Sequence, residues 1–308
     1  MNTEKNISPV GRAMDAPSRD PKETLSVTVV IPAYNEENGI APVLKEIGNT
    51  LAEAGVTGEI IVVDDGSTDD TAARAEQAGA RVIRHEENRG YGAALKTGFR
   101  NAENEAVIIT DADDTYPSEA LLQMLPLRKD HDMVVGARTG KDVHIPLIRR
   151  PAKWMLNKLA NYLSRYKIPD LNSGLRIIRK SMVQKYMGFL PDGFSFTTTI
   201  TLALLVGGYR VKYIPIDYRH RTGKSKIRPV RDTLNFISLI VRTILYFNPL
   251  RIFAPVAFLL ITAGGVVFLA SWAWLPLILD TTTAILVMTG VQILVLGLLA
   301  DIIVRGRH

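Results

Sequence analysis

Cysteine is missing from this 308-residue chain. Its absence excludes disulfides, thiolate metal sites, iron–sulfur clusters and a cysteine nucleophile. The 23 glycines and 16 prolines are too few for a collagenous or low-complexity chain. His85, His131, His144 and His220 are scattered and lack zinc-type spacing. The first 24 residues hold Pro9, Gly11, Pro17 and Pro21 and no apolar run. With no hydrophobic stretch they read as a disordered leader and not as a signal peptide.

What is present is apolar and unevenly charged. The chain is 47% hydrophobic, carries a net charge of +6 and has a mean hydropathy of +0.09. That value is high for a domain with only water around it. Residues 26–137 hold 9 Lys/Arg against 20 Asp/Glu, whereas residues 138–231 hold 20 against 4. An acidic half followed by a basic half suggests cation binding in the first and anion or membrane-surface binding in the second. Two solvated faces that neutralise each other are the plainer alternative.

Short β-branched runs at 26–31, 59–63, 81–84, 106–110 and 133–136 read as strands. Helical stretches separate them at about 37–54, 69–78, 90–103 and 118–127. Strands alternating with helices of this length imply an α/β fold, a mostly parallel sheet flanked by helices. Ligands of such sheets bind beyond the carboxyl ends of the strands, so the residues just after each strand draw attention.

Farther on, residues 252–279 and 281–300 carry no charge. Each is long enough to span a hydrocarbon core of about 30 Å at about 1.5 Å per residue. Asp280 separates them, which implies a tight hairpin. Arg242 and Arg251 precede it and Arg305 and Arg307 follow it, while the connecting loop has neither Lys nor Arg. The positive-inside rule then makes the larger domain cytoplasmic. The residues just before the spans recur at amphipathic helical spacing and suit an interfacial helix. The stretch near 146–166 combines Trp154 and several leucines with Arg149, Arg150, Lys153, Lys158 and Arg165. It reads as a basic membrane-surface helix; nucleic-acid binding fits poorly beside a membrane hairpin. The expected layout is a leader over 1–24, an α/β domain over 25–230, a juxtamembrane helix over 231–250, and spans at about 252–275 and 282–304 within 251–308.

Three acidic clusters follow strands. They are Pro32-Ala33-Tyr34-Asn35-Glu36-Glu37, Asp64-Asp65-Gly66-Ser67-Thr68-Asp69 and Asp111-Ala112-Asp113-Asp114. Carboxylates there accept from ribose hydroxyls or a base N–H. An Asp-x-Asp turn suits a hard divalent ion held together with phosphate oxygens. Simple turn chemistry at Asp65-Gly66 and a helix N-cap at Asp69 are the plainer readings.

These motifs resemble the family-2 glycosyltransferases of GT-A fold. Farther along, Asp170-Leu171-Asn172-Ser173-Gly174-Leu175-Arg176 and Arg221-Thr222-Gly223-Lys224-Ser225-Lys226 are similar to two elements of the polyprenyl-phosphate glycosyltransferases, the group of dolichyl-phosphate mannose synthase. The terminal hairpin resembles the two-span bacterial polyprenyl-phosphate glucosyltransferases. Leu175, where an aromatic is common, and Asn172 depart from the pattern.

The resemblance implies roles by position. Pro32, Tyr34, Glu36, Asp64, Asp65, Lys96, Asp111 and Ala112 would bind the donor, with Lys96 open between a phosphate contact and a plain helix face. Asp111 and Asp113 would hold Mg²⁺ or Mn²⁺. Ser173, Arg176, Arg221, Ser225 and Lys226 would bind the acceptor phosphate. Asp113, Asp170 and Arg138 would serve catalysis, with Asp170 positioning the acceptor or acting as a base. The implied reaction is inverting transfer from a nucleotide-sugar, UDP-sugar before GDP-mannose, to undecaprenyl or dolichyl phosphate. The partners are those substrates and the membrane, without nucleic acid, and the two-span relatives suggest a homo-oligomer. A processive polysaccharide synthase is the rival enzyme, but its Gln-x-x-Arg-Trp element is absent around Trp154. A non-catalytic nucleotide-sugar-binding scaffold is the rival from another class. A P-loop at Gly223-Lys224-Ser225 fails, because Tyr218 stands where the first glycine belongs.

Overall fold

The structure is a computed structural model that describes residues 26–139, 158, 160–162, 164–219, 238, 241–242, 244–274 and 280–305. The leader, most of the helices expected over 146–166 and 231–250, and the Arg221–Lys226 element therefore lie outside the described residues.

The first strand, β1 (Ser26–Ala33), is apolar on both faces because both are covered. Val27, Val29 and Ile31 pack on one side with Ile40, Val43, Leu44 and Ile47 of α1 (Ile40–Glu53). Val30 packs on the other with Leu95 and Phe99 of α3 (Tyr91–Asn101). Between these helices come β2 (Thr57–Asp64), α2 (Thr71–Gln77) and β3 (Arg81–Arg84). Then follow β4 (Ala106–Ile109), α4 (Ala120–Met124) and β5 (Met133–Arg138). The helix expected over 118–127 divides: Pro126 opens a 3₁₀ turn, Leu125–Lys129.

The domain closes with β6 (Arg176–Arg179), α5 (Lys180–Tyr186), α6 (Phe196–Val206) and β7 (Val211–Ile216). The seven strands order as β3-β2-β1-β4-β6-β5-β7. All neighbours are parallel except β6, which runs antiparallel to β4 and β5. The sheet is thus mostly parallel with flanking helices, as expected. β6 and β7 were not legible as strands. β6 has an arginine at each end of an Ile-Ile pair, and β7 contains Pro215, which an edge strand tolerates.

Two long helices end the chain, α7 (Leu250–Trp274) and α8 (Asp280–Arg305), packed as a hairpin. Their apolar stretches have mean hydropathies of 2.4 and 2.3, and only 11% and 17% of those residues are buried. Both are long and apolar enough to cross a membrane, and a soluble core helix would be mostly covered. Where the helices touch, glycines of one helix pack against larger side chains of the other. A Cβ on Gly290 would stand 2.6 Å from Ile261 and 2.9 Å from the Ala257 carbonyl. The side chains turned outward are large, with Phe258 70% and Trp272 72% exposed.

Candidate active site

The turns after β1 and β2 lie side by side because the two strands pair in parallel up to Ala33 and Asp64. The Asn35 amide N–H donates to Ser67 Oγ, and Asn35 Oδ1 accepts from Thr68 N–H. The Glu36 N–H donates to Thr71 Oγ1, and Asp64 Oδ1 accepts from Ser67 N–H. These bonds fix one ledge, with Pro32 beneath it and Tyr34 exposed at its tip.

Asp65 is buried and fully engaged. It accepts from the backbone N–H of Arg89 and Gly90 and from His85 Nδ1 at 2.7 Å. The other ring nitrogen of His85 bonds Thr97 Oγ1 on α3 at 2.9 Å. Asp65 therefore shapes the loop between β3 and α3. An open contact to base or ribose, as expected for it, competes with these three donors. Lys96 on α3 pairs with Asp192 at 2.7 Å.

The Asp111–Asp114 turn follows β4. Asp111 Oδ1 accepts from the Tyr91 hydroxyl at 3.0 Å. Burial first, and then the Asp111 charge, push the Tyr91 phenol well above its ordinary pKa, so it remains a donor. The antiparallel register that pairs Ile109 with Arg176 sets Gly174 opposite Asp111. A Cβ at Gly174 would come within 2.7–2.9 Å of the Asp111 carboxylate, so only glycine leaves that space open. Ala112 is buried behind the turn. Asp113 Oδ1 accepts from the Thr115 hydroxyl at 2.6 Å. Asp114 has a left-handed backbone (φ 57°) and accepts from Arg219 Nη1 at 2.7 Å.

Asp111 and Asp113 offer oxygen ligands only, which suits a hard divalent ion. Among the described residues no three acidic or histidine side chains group as a metal site. The Asp111 carboxylate beside the space kept by Gly174, with Asp113 two residues on, fits an ion whose remaining ligands come from a diphosphate.

On the facing side, Arg138 at the end of β5 donates to Asp170 through Nε at 2.7 Å and Nη2 at 3.0 Å. Its backbone N–H adds a third bond at 3.1 Å. Burial alone would raise the Asp170 pKa. The hydrogen bonds and charge of Arg138, helped by the Asn172 N–H, outweigh it and leave the carboxyl at about 2. Arg138 is held above the ordinary guanidinium value by the same pair, against its own burial. Its ring neighbour is Tyr218, 5.3 Å below the guanidinium.

Three sequence expectations are corrected here. Asp170 is not an available base, because both its oxygens are committed to Arg138 and its lowered pKa makes it a weak proton acceptor. Arg176 is fully buried and not at the acceptor surface. Its guanidinium donates to the Ser173 and Leu171 carbonyls and to Thr201 Oγ1, so it braces the 170–174 loop from behind. Ser173 is likewise fully buried and donates to the Gly136 carbonyl. Both sit under the sheet end, where register and not chemistry placed them. Conversely, His85, Tyr91 and Arg219 were missed. His85 follows β3 directly, and the rule of strand carboxyl ends would have singled it out.

Comparison with known proteins assigns this arrangement. Residues 28–187 match the family model "Glycosyl transferase family 2", and residues 248–305 match "GtrB C-terminal hairpin". The chain belongs to glycosyl transferase family 2. This family-2 enzyme is 34% identical over 205 residues to a dolichyl-phosphate hexose transferase of Haloferax volcanii, covering 66% of this chain and 87% of the relative. It is 27% identical over 289 residues to a dolichol-phosphate mannosyltransferase of Pyrococcus furiosus, covering 89% and 78%. It is 28% identical over 297 residues to an undecaprenyl-phosphate 4-deoxy-4-formamido-L-arabinose transferase of Pseudomonas fluorescens, covering 91% and 85%. Among solved structures it resembles glucosyl-3-phosphoglycerate synthase of Mycobacterium tuberculosis in complex with Mn²⁺, UDP and phosphoglyceric acid. That likeness has a TM-score of 0.57 at 21% identity and covers 71% of this chain and 78% of the other. At that identity it establishes the shared GT-A fold.

Proposed function

We propose that this glycosyltransferase moves a sugar, with inversion, from a nucleotide-sugar to a polyprenyl phosphate at the cytoplasmic membrane face. UDP-sugars come first as donors and GDP-mannose second. The named activities of its relatives support the acceptor class. The observation that carries the reading is where two chain segments meet. The Arg219 N–H donates to the Thr115 carbonyl at 3.0 Å, so the chain leaving β7 toward Arg221, Ser225 and Lys226 starts on the carboxylate turn. The last described residue before the basic segment thus sits on the acidic wall, in a domain joined to an apolar hairpin.

The chemistry needs both signs of charge. The leaving diphosphate and the attacking phosphate are anionic and approach each other in one site. Asp111 and Asp113 would hold Mg²⁺ or Mn²⁺, which when bound supplies Lewis-acid neutralisation of the departing diphosphate. The turns after β1 and β2, with Tyr34, Glu36 and Asp64, would seat the nucleoside. The guanidinium of Arg138 has five N–H donors and gives two to Asp170, leaving the rest for a phosphate or sugar oxygen. Arg221, Ser225 and Lys226 would hold the acceptor phosphate. That nucleophile needs no base, since its second pKa lies near ~6. The low pKa of Asp170 agrees, because a base so weak removes few protons at neutral pH. Arg242, Arg251, Arg305 and Arg307 flank the hairpin in the sequence and support a catalytic domain on the cytoplasmic side.

The test is a panel of radiolabelled nucleotide-sugars with undecaprenyl or dolichyl phosphate and Mn²⁺. Label entering the lipid phase supports the proposal. Label appearing only on a water-soluble oligosaccharide overturns it.

A further inference from the structure

Arg219 belongs to no motif, yet it lies within ion-pair distance of three carboxylates. Nη1 and Nη2 grip the Glu46 carboxylate of α1, each at 2.9 Å. Nη1 also reaches Asp114 at 2.7 Å, and Nη2 lies 3.7 Å from Glu119. Ser118, beyond the same turn, donates to Glu46 through its amide and its hydroxyl. The preceding residue, Tyr218, packs edge-on against Tyr116 at 5.3 Å and lies under Arg138.

One side chain therefore fastens three pieces: α1, the Asp111–Thr115 turn, and the chain that leaves β7. Planar bidentate pairing with Glu46 fixes the plane of the guanidinium, which a lysine cannot reproduce. Asp114, one residue past Asp113, is tied to Arg219 in a left-handed conformation that an aspartate tolerates at some cost. The Arg219 hydrogen bond comes first among the causes that hold the Glu46 carboxyl below its ordinary range.

We propose that Arg219 is a positioning residue that locks the Asp111–Thr115 turn to the start of the basic segment, so that the donor and acceptor sides of the site keep a fixed spacing. This rests on the transfer reaction proposed above for its kinetic readout, but the lock itself does not. Losing it would leave each side able to bind while the two no longer meet in register. The acceptor side suffers more, because the turn remains anchored through β4 whereas the chain leaving β7 keeps its main-chain bond to Thr115 and its Tyr218 packing but loses its ion pairs.

The experiment uses the full-length protein and its Arg219→Ala, Arg219→Lys and Glu46→Gln variants. For Arg219→Ala we expect the polyprenyl-phosphate KM to rise about tenfold while the donor KM moves less than about twofold. Arg219→Lys restores only part, and Glu46→Gln adds little on top of Arg219→Ala. Equal changes in both KM values, or full rescue by lysine, overturn the proposal. Hydrogen exchange provides a readout independent of any transfer activity. In Arg219→Ala, amides of 111–116 and of 217–219 should exchange faster together, with β2 and β3 unchanged. Loosening confined to 217–219 overturns the lock even in a protein that transfers to another acceptor. If the unaltered protein labels no polyprenyl phosphate while this exchange result holds, the reaction assignment fails and the lock stands.

Discussion

The end of the sheet and the terminal hairpin solve opposite solvation problems. At the sheet end, charged groups are packed against one another with little water. Asp170 is 3% exposed, and it survives there because Arg138 answers both of its oxygens. In the hairpin, large apolar side chains face outward, and the helices approach each other where glycines meet side chains such as Ile261 and Phe253. Ile302 is 66% exposed, which water would penalise and a hydrocarbon would not. Buried charge at the sheet end is held by a counter-ion; exposed hydrocarbon on the hairpin suits a lipid surrounding. In both regions stability depends on a partner: a counter-ion in one, a solvent in the other.

The comparison breaks most visibly at Arg138. Arg138→Met leaves Asp170 buried without its cation, and unfolding free energy should fall by about 3 kcal/mol or more. Adding Asp170→Asn should recover much of that, measured by thermal or denaturant unfolding in detergent. No loss in the single variant would mean that water already reaches Asp170. Next comes Asp113→Ala, expected to lower transfer at least about 100-fold, since a preorganised electrostatic contact is removed, with a smaller stability loss of about 1–2 kcal/mol because the buried Thr115 hydroxyl loses its acceptor. A retained rate would remove Asp113 from the metal site.

Acid should unpick the same ion pair. The Asp170 carboxyl titrates at about 2, below its ordinary value of 3.8. Its contribution, about 2 kcal/mol, is complete above the unfolded-state pKa and is lost as pH falls through the folded-state value. Unfolding measured between pH 5 and pH 2 should therefore decline more steeply for the unaltered chain than for Asp170→Asn. Parallel declines would show that the pair adds no proton linkage.

The smallest effect sharpens the other side. Gly290→Ala forces a methyl against Ile261 and the Ala257 carbonyl and should cost about 1 kcal/mol of helix pairing. Gly265→Ala has nothing within 4 Å and should be silent. Equal effects in a hairpin unfolding assay would show that the helices do not pair through Gly290.

Sequence reading succeeded where a residue's role is carried by its immediate neighbours. The runs of valine and isoleucine announced β1, β2, β4 and β5, and the uncharged stretches announced the hairpin. The three acidic clusters could be assigned to strand ends because each follows its strand directly. It failed where distance along the chain hides a partner. Asp170 and Arg138 are 32 residues apart, so nothing local marks the carboxylate as already spent. Arg176 stands in the same short motif as Asp170 but is fully buried. The β6 register that turns Gly174 toward Asp111 carries the Arg176 side chain into the interior.

By itself, then, the order of residues determined the alternation of strand and helix, the placing of carboxylates at strand ends and the apolar tail, because propensity, hydropathy and charge are properties of short segments. Only tertiary structure decided which charges are available and which are consumed. A hydrogen bond between Arg219 and Glu46 spans 173 residues, and such pairings exist only once the sheet has brought distant segments of the chain together.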